Sequence, residues 1–355
     1  MTTKSKSKKS DGVRRRTIPT PQSVKSHLDT IVMGQEQVKR KLSVAVSNHY
    51  ARVGPTRRNG FDSDLVGVTI EKSNILLIGP TGSGKTHVAR ALAEKLNVPF
   101  CICDATSLTE AGYVGLDVEN ILVDLMDAAD HDVEAAQRGV VYIDEFDKLR
   151  QTSENVSTTR DVGGQGVQQA ILKLIEGSNC RCPTGGGRFH PDQQTSVIDT
   201  TDILFICGGA FVGLEDIIAE RLPDVSRAEL TNRILPQDLI KFGIIPELVG
   251  RIPVIGSLRE LTLTDMQAIL TQPKDAILKQ YRKLCLLRGF EVEFTDCAIK
   301  AMADAAMTLR IGARGLRSVV ETVMIDIQFD AKSGCRYRVD KDVVNGIKRP
   351  RGDKI

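Results

Sequence analysis

The run Gly79-Pro80-Thr81-Gly82-Ser83-Gly84-Lys85-Thr86 has the spacing G-x-x-x-x-G-K-T. An apolar stretch, Asn74–Ile78, precedes it, and a helical pattern, Thr86–Leu96, follows. The chemistry needs that strand–loop–helix setting. Glycines let backbone N–H groups close around phosphate oxygens, and the helix N-terminus adds its dipole. Lys85 suits the β- and γ-phosphates of a nucleotide, and the Thr86 hydroxyl suits Mg²⁺. His87 extends the run that contacts the nucleotide. A second apolar stretch, Val140–Ile143, ends in Asp144 and Glu145, 59 residues beyond Lys85. Asp144 suits the Mg²⁺ shell and Glu145 the base that orients an attacking water. Alone, Asp144–Asp147 would read as helix-capping acids. Paired with the phosphate loop they point to nucleoside triphosphate hydrolysis.

Two arginines stand out. Arg251 lies in the turn-rich, apolar Leu248–Pro253, and Arg314 opens a helix in Gly312-Ala313-Arg314-Gly315, where the helix dipole disfavours a cation. Each alone reads equally well as a surface ion pair. An external anion explains both their placement and their residue type. Tyr113 and Val114, flanked by Gly112 and Gly115, read either as an exposed, mobile pair or as an ordinary turn. Gly163-Gly164-Gln165 superficially resembles a transporter ATPase signature, but here it follows the acidic motif, whereas that signature precedes it.

The elements that must position these groups alternate. Strand patterns at Asn74–Ile78, Val98–Cys103, Val140–Ile143 and Ile203–Cys207 are separated by helical patterns at Thr86–Leu96, Val118–Ala129 and Val167–Ile175. That order predicts an α/β fold with a parallel sheet covered on both faces. A helical stretch runs from Pro21 to about Tyr50, followed by a Gly/Pro/Arg loop over 51–66. Beyond Leu258 the texture becomes mostly helical: a capping-box start at Thr264–Gln267, helices over 274–287, 296–308 and 313–329, and a short strand, Glu291–Phe294. The predicted organisation is a basic tail over 1–20, a large domain over 21–258, a small helical domain over 259–332 and a polar basic tail over 333–355.

The 355 residues include 48 Lys and Arg, 45 Asp and Glu, and only 4% aromatics. The first sixteen residues carry seven of the basic residues and one acid, which leaves the rest of the chain at −3. The basic balance is a tail effect, and few aromatics are available for base stacking, so no nucleic-acid partner is expected. No apolar run reaches the ~20 residues that span a bilayer, and no export signal precedes the body. No membrane partner is expected, and the eight cysteines read as reduced thiols in a cytoplasmic protein. Cys101 and Cys103 share one face of a strand as packing residues, Cys180 and Cys182 sit in a loop-like segment, and no zinc site is expected.

The ordered segments GPTGSGKT, GYVG, VVYIDEFDKL, STTRDVGGQGVQQAILKLIEG, ILFICGGAF, LIKFGIIPELVGRIPV and GARGLRSVVE resemble the ClpX family over about residues 22–332. These are AAA+ ring unfoldases that serve as the ATP-binding subunit of the Clp protease. The resemblance implies a P-loop αβα large domain, a small helical domain, ATP with Mg²⁺, a homohexamer, and protein substrates threaded through a pore. By position it implies that Val32 and Met33 pack on adenine and that Tyr113 and Val114 form the pore loop that grips polypeptide. Ser157–Gly166, with Arg160 and Asp161, matches a second pore loop, Arg251 a finger acting on a neighbour's ATP, and Arg314 a second sensor. The pore-entrance Arg-Lys-His motif reads Arg188-Phe189-His190 here. The family's N-terminal zinc-binding domain, with its C-x-x-C pairs, is replaced by the basic tail. Between Phe211 and Leu239 the family's loop that docks on the ClpP peptidase is missing, so weak or no binding to ClpP is expected. The alternatives are an AAA+ remodelling ATPase acting on protein complexes or nucleic acid, and a non-enzymatic nucleotide-dependent scaffold. Intact Lys85, Asp144 and Glu145 argue against the scaffold.

Overall fold

The computed structural model describes residues 18–54, 64–65, 67–109, 116–151, 164–183 and 195–354. The large domain opens with α1 (Pro21–Ile31) and α2 (Glu36–Val53) and continues through β1 (Ile75–Ile78), α3 (Lys85–Leu96), β2 (Phe100–Asp104), β3 (Leu108–Thr109), β4 (Leu116–Asp117), α4 (Asn120–Ala128), α5 (Val133–Ala136) and β5 (Val140–Asp144). It then runs through α6 (Gln165–Glu176), β6 (Asn179–Pro183), β7 (Thr195–Asp199), β8 (Leu204–Gly209), α7 (Leu214–Arg221), α8 (Arg227–Leu230), α9 (Pro236–Phe242), α10 (Pro246–Arg251) and β9 (Val254–Ser257).

Five strands form one parallel sheet in the order β2-β5-β8-β1-β9, with Ile75 opposite Ile206 and Val140 opposite Leu204. The strands read as unbroken apolar runs because both faces are covered. Alternate residues serve the two faces. Leu76, Ile78, Val141, Ile143, Phe205 and Cys207 join one core, and Ile75, Leu77, Val140, Tyr142, Leu204 and Ile206 the other. Helices α1, α2 and α3 close the second core. The edge strand β9 leaves no pattern in the sequence. Its four residues, Val254-Ile255-Gly256-Ser257, include a glycine and are too few to show a period.

The small domain comprises α11 (Leu263–Thr271), α12 (Ile277–Leu287), β10 (Glu291–Phe294), α13 (Asp296–Thr308), α14 (Arg314–Asp330), β11 (Cys335–Val339), α15 (Lys341–Val344) and β12 (Gly352–Lys354) around a third core. The capping box of α11 is Thr262 with Asp265, two residues earlier than predicted. Thr262 has the extended backbone an N-cap needs, and its side chain accepts the Asp265 N–H at 3.2 Å. Of the expected polar tail over 333–355, the described residues 333–354 are instead part of the fold. β11 pairs with β10 and β12, and Cys335, Tyr337 and Val339 are buried while Arg336 and Arg338 face outward. Charged residues at every second position masked a half-buried strand. Cys180 and Cys182, expected in a loop, lie on β6, which pairs antiparallel with β7. All eight cysteines are free. Among the described residues, no helix is long and apolar enough to cross a membrane.

Candidate functional site

The predicted phosphate loop sits where β1 turns into α3. Gly82 and Gly84 take left-handed backbones, at φ +76° and +101°, which glycine adopts at little cost. Gly84 is the N-cap of α3 and offers no side chain, so the first amides of the helix are left for an anion. Lys85 is the first helical residue. It curls back to donate to the Gly79 and Pro80 carbonyls at 2.7 and 3.1 Å. Burial lowers its pKa, against the pull of Asp144 and Asp147, and the charge of Arg314 lowers it further. Ser83 is buried and its hydroxyl has no partner among the described residues. Thr81 and His87 are exposed at the rim.

Strand order then decides the rest. β5 and β1 are not neighbours, because β8 lies between them. Thr86 nevertheless donates its hydroxyl hydrogen to Asp144 Oδ2 at 3.0 Å, bridging the ends of two strands about 9–10 Å apart. The other Asp144 oxygen accepts from the Tyr142 hydroxyl at 3.2 Å and from the Glu145 amide at 3.0 Å. Tyr142 reaches upward because Gly208 on β8 has no side chain; a Cβ there would lie 2.7 Å from the tyrosine Cζ. Burial and the neighbouring carboxylate raise the Tyr142 pKa, so the phenol stays a donor. Glu145 has a left-handed backbone at φ +53°, which turns its exposed side chain out of the strand with no partner among the described residues. Asp147, which would have read as a helix cap, is buried and instead accepts the amides of Ala210 and Phe211, both at 3.2 Å, tying the ends of β5 and β8 together.

The helical stretch expected from Pro21 to Tyr50 is broken by residues 32–35, between α1 and α2. Val32 and Met33 are buried there, and Gly34 and Gln35 are left-handed at φ +65° and +59°. The Gln35 amide donates to the Arg259 carbonyl at 2.8 Å and accepts the Arg259 N–H at 3.1 Å. Arg259 in turn grips Asp265 with both guanidinium nitrogens, at 2.6 and 3.1 Å. The segment before α2 is thus clamped to the chain that enters the small domain. Charge spacing along the sequence gives no hint of a contact across 224 residues.

The two arginines are far from equivalent. Arg314 is the first residue of α14, close enough for its charge to act on Lys85. Arg251 ends α10, and its carbonyl accepts from Asn74, the residue just before β1. β1 is therefore interposed between it and the phosphate loop, about 13 Å of strand. Its guanidinium Nε donates to Glu176 Oε1 at 2.9 Å, and both side chains are partly exposed. Tyr113, Val114, Arg160, Asp161, Arg188, Phe189 and His190 lie outside the described residues. Gly208 and Gln35 leave no mark in the sequence because their contacts lie far along the chain, the Tyr142 hydroxyl reads only as part of an apolar strand, and Asp147 reads only as a helix cap.

The donor set suits Mg²⁺: a threonine hydroxyl and a carboxylate already share one spot beside an anion-binding loop, and both are hard oxygen ligands.

The chain matches the family described as AAA domain (Cdc48 subfamily) over residues 70–255, and the C-terminal, D2-small domain of ClpB protein over residues 261–336. The ATP-dependent Clp protease ATP-binding subunit ClpX of Treponema denticola is 52% identical over 331 residues, 89% of this chain and 78% of the relative. The ClpX of Porphyromonas gingivalis is 48% identical over 344 residues, covering 93% and 82%. That of Borrelia duttonii is 49% identical over 346 residues, covering 93% and 79%. Together with a nucleotide site wired across a parallel sheet, these matches place the chain in the ClpX family of AAA+ ATP-dependent unfoldases.

Proposed function

We propose that this ATPase works as a homohexamer that threads protein substrates through a central pore and binds ClpP weakly or not at all. The observation that carries the catalytic part is the Thr86–Asp144 bridge beside an uncommitted Glu145. Gly79–Thr86 cradle the phosphates, with Lys85 exchanging its loop carbonyls for phosphate oxygens and His87 at the rim. Val32 and Met33 pack on the adenine. Thr86 and Asp144 hold Mg²⁺, which when bound neutralises charge on the phosphates. Glu145 positions water. Arg314 senses the phosphates from the small domain of the same chain.

Arg251 supports a ring, because β1 separates it from its own phosphate loop. Its target is then a neighbour's nucleotide. Exposed apolar side chains on the small domain, Leu287 on α12 and Ile325 and Phe329 on α14, support a subunit contact, with Phe329 89% exposed. Tyr113 and Val114 grip polypeptide, with Arg160, Asp161 and the Arg188-Phe189-His190 segment at the pore. The protein acts in the cytoplasm.

The ClpP reading turns on Phe211–Leu239. Leu230 is buried, and Leu222 and Val225 are half-buried against the large-domain core. Arg221 pairs with buried Asp238 at 2.7 Å and holds the segment compact. Val212 and Leu235 are exposed, but singly, at the segment's two ends. One buried apolar anchor per subunit contributes roughly 1.5–3 kcal/mol, multiplied around a ring by avidity; without it tight association is lost.

The test is ATP-dependent unfolding of a stable, tagged fluorescent protein by the purified ring, with and without ClpP of the same organism. Parent protein is expected to unfold it, Glu145→Gln to bind ATP without turnover, and Tyr113→Ala to hydrolyse ATP without unfolding. ClpP is expected neither to co-sediment nor to degrade the substrate. Turnover by Glu145→Gln at the parent rate refutes the catalytic assignment, and a stable degrading complex refutes the ClpP reading.

A further inference from the structure

Arg314 can act on the phosphates only if something seats the N-terminus of α14 against the phosphate loop. That seat is made of backbone. Ala313 donates its N–H to the Gly82 carbonyl at 3.1 Å. Gly82 and Gly312 face each other, both left-handed, at φ +76° and +61°. A Cβ on Gly312 would stand 2.7 Å from the Gly82 oxygen and 2.9 Å from its Cα, and a Cβ on Gly82 would strike Ile311 O. Real side chains do not approach backbone this closely, so the two segments meet only because both positions lack one. Two other small-domain glycines, Gly334 and Gly346, share the left-handed backbone, at φ +74° and +71°, but nothing lies within 4 Å of their missing Cβ. Gly312 therefore answers a close approach as well as a backbone angle. On its other side the phosphate loop is equally tight: a Cβ on Gly79 would lie 2.7 Å from the Leu258 carbonyl, in the chain leading to the small domain.

We infer that Gly312 is a positioning residue: its bare backbone seats α14 on Gly82 of the phosphate loop, and that seat holds Arg314 against the bound phosphates. The inference rests on the reading of Arg314 as a phosphate sensor. It also makes the phosphate loop and the small domain move together, since a shift of Gly82 carries the Ala313 hydrogen bond with it.

The experiment compares steady-state ATPase kinetics of intact hexamers of Gly312→Ala, Gly312→Asn, Arg314→Ala and the Gly312→Ala/Arg314→Ala double variant, with Gly334→Ala as control. Asparagine tolerates a left-handed backbone but still carries a Cβ. It separates close approach from conformation. Misplacing a reacting group by an ångström costs roughly 10- to 100-fold in rate. Both Gly312 variants are expected to lose at least about tenfold in kcat, like Arg314→Ala, with a smaller change in KM for ATP. The double variant is expected to be no slower than either single one, and Gly334→Ala to match the parent. Ala313→Pro gives a second route that adds no Cβ at 312: position 313 already has φ −60°, and proline removes the N–H that Gly82 accepts. It should lower kcat likewise. Parent kcat in Gly312→Asn, or multiplicative losses in the double variant, overturns the seat while leaving Arg314's role intact. Parent kcat in Arg314→Ala overturns that role and the inference together.

Discussion

Both ends of the central sheet gather charged side chains, and they use them differently. At the carboxyl end Asp144 joins Thr86 to Tyr142, Lys85 is satisfied only by carbonyls of its own loop, and Glu145 projects without a partner among the described residues. At the amino end the basic groups are bound to the turn that enters β8. Lys72 donates to Thr200 O at 2.8 Å and lies over the Phe205 ring, Arg52 donates to Thr201 O and pairs with Asp202, both at 3.0 Å, and His49 Nε2 meets Asp202 O at 3.1 Å. Burial pushes Lys72 down to about 7. A strongly shifted group therefore does not by itself mark chemistry. Cations committed to backbone carbonyls of a fixed turn hold structure together. The edge proposed as catalytic is marked by groups whose partners a ligand can replace.

The sharpest way to break this contrast is to remove one charge from each edge. Asp144→Asn is expected to keep the fold and nucleotide binding while lowering kcat by on the order of 10²–10³-fold, because in the proposed role its carboxylate acts electrostatically on the transferring phosphates. Lys72→Met is expected to leave kcat at the parent value. Steady-state ATPase assays at saturating nucleotide read both. Equal losses at the two edges would show that the amino end also takes part in turnover.

The same contrast explains what could be read along the chain. The phosphate loop and the acids ending β5 were legible because their chemistry needs neighbours in sequence and a strand or helix alongside. Four of the five strands were legible as apolar runs, since a doubly covered parallel sheet erases alternation. The clamp from Gln35 to Arg259, the passage of Tyr142 beneath Gly208 and the Gly82–Gly312 approach were not, because each pairs residues more than 60 positions apart. The strand β11 was hidden for another reason. Three buried residues separated by two arginines look polar on average, and only their order betrays a half-buried strand.

A smaller effect sharpens the comparison at Arg251, which belongs to the amino edge by position yet is read as catalytic in a neighbouring subunit. Its partner there, Glu176, is a partly exposed side chain, and such pairs contribute about 0–1 kcal/mol. The ion pair is thus easily given up, unlike the bonds of Lys72. Hexamers mixed from Arg251→Ala and Lys85→Ala subunits, each inactive alone, are expected to recover a fraction of parent ATPase activity, since some interfaces then hold both groups intact. Mixed rings demonstrated by native mass spectrometry but still inactive would return Arg251 to a structural role at its own edge.

The smallest expected effect concerns His49, where the amino edge should reveal itself through stability alone. The ring is 3% exposed, and burial first, then the charges of Arg52 and Lys72, lower its pKa from 6.5 to about 3. Nε2 carries the hydrogen and donates to Asp202 O, while Nδ1 has no partner among the described residues. The folded state keeps the ring neutral, whereas the unfolded chain takes up a proton below pH 6.5. Stability is therefore complete above pH 6.5 and falls as the pH drops toward 3, by up to ~1.4 kcal/mol per pH unit. Lys72 adds little slope over most of that range: lowered from 10.5 to about 7, its penalty nears its full value about a unit below 7 and lifts as the pH rises from there toward 10.5. Carboxylates held low by partners, Asp29, Glu36 and Asp265, lose their contribution only near and below their unfolded values of about 4. The interval from pH 6.5 to 5 therefore reports mainly on the histidine; Asp124, raised by burial and Asp127, would act there with the opposite sign. His49→Gln keeps an N–H to offer Asp202 and cannot titrate, so its denaturant midpoint should stay flatter across that interval than the parent's, while kcat at pH 7.5 is unchanged. Parallel slopes for variant and parent would mean that the folded imidazole keeps its ordinary pKa and that burial does not hold it neutral.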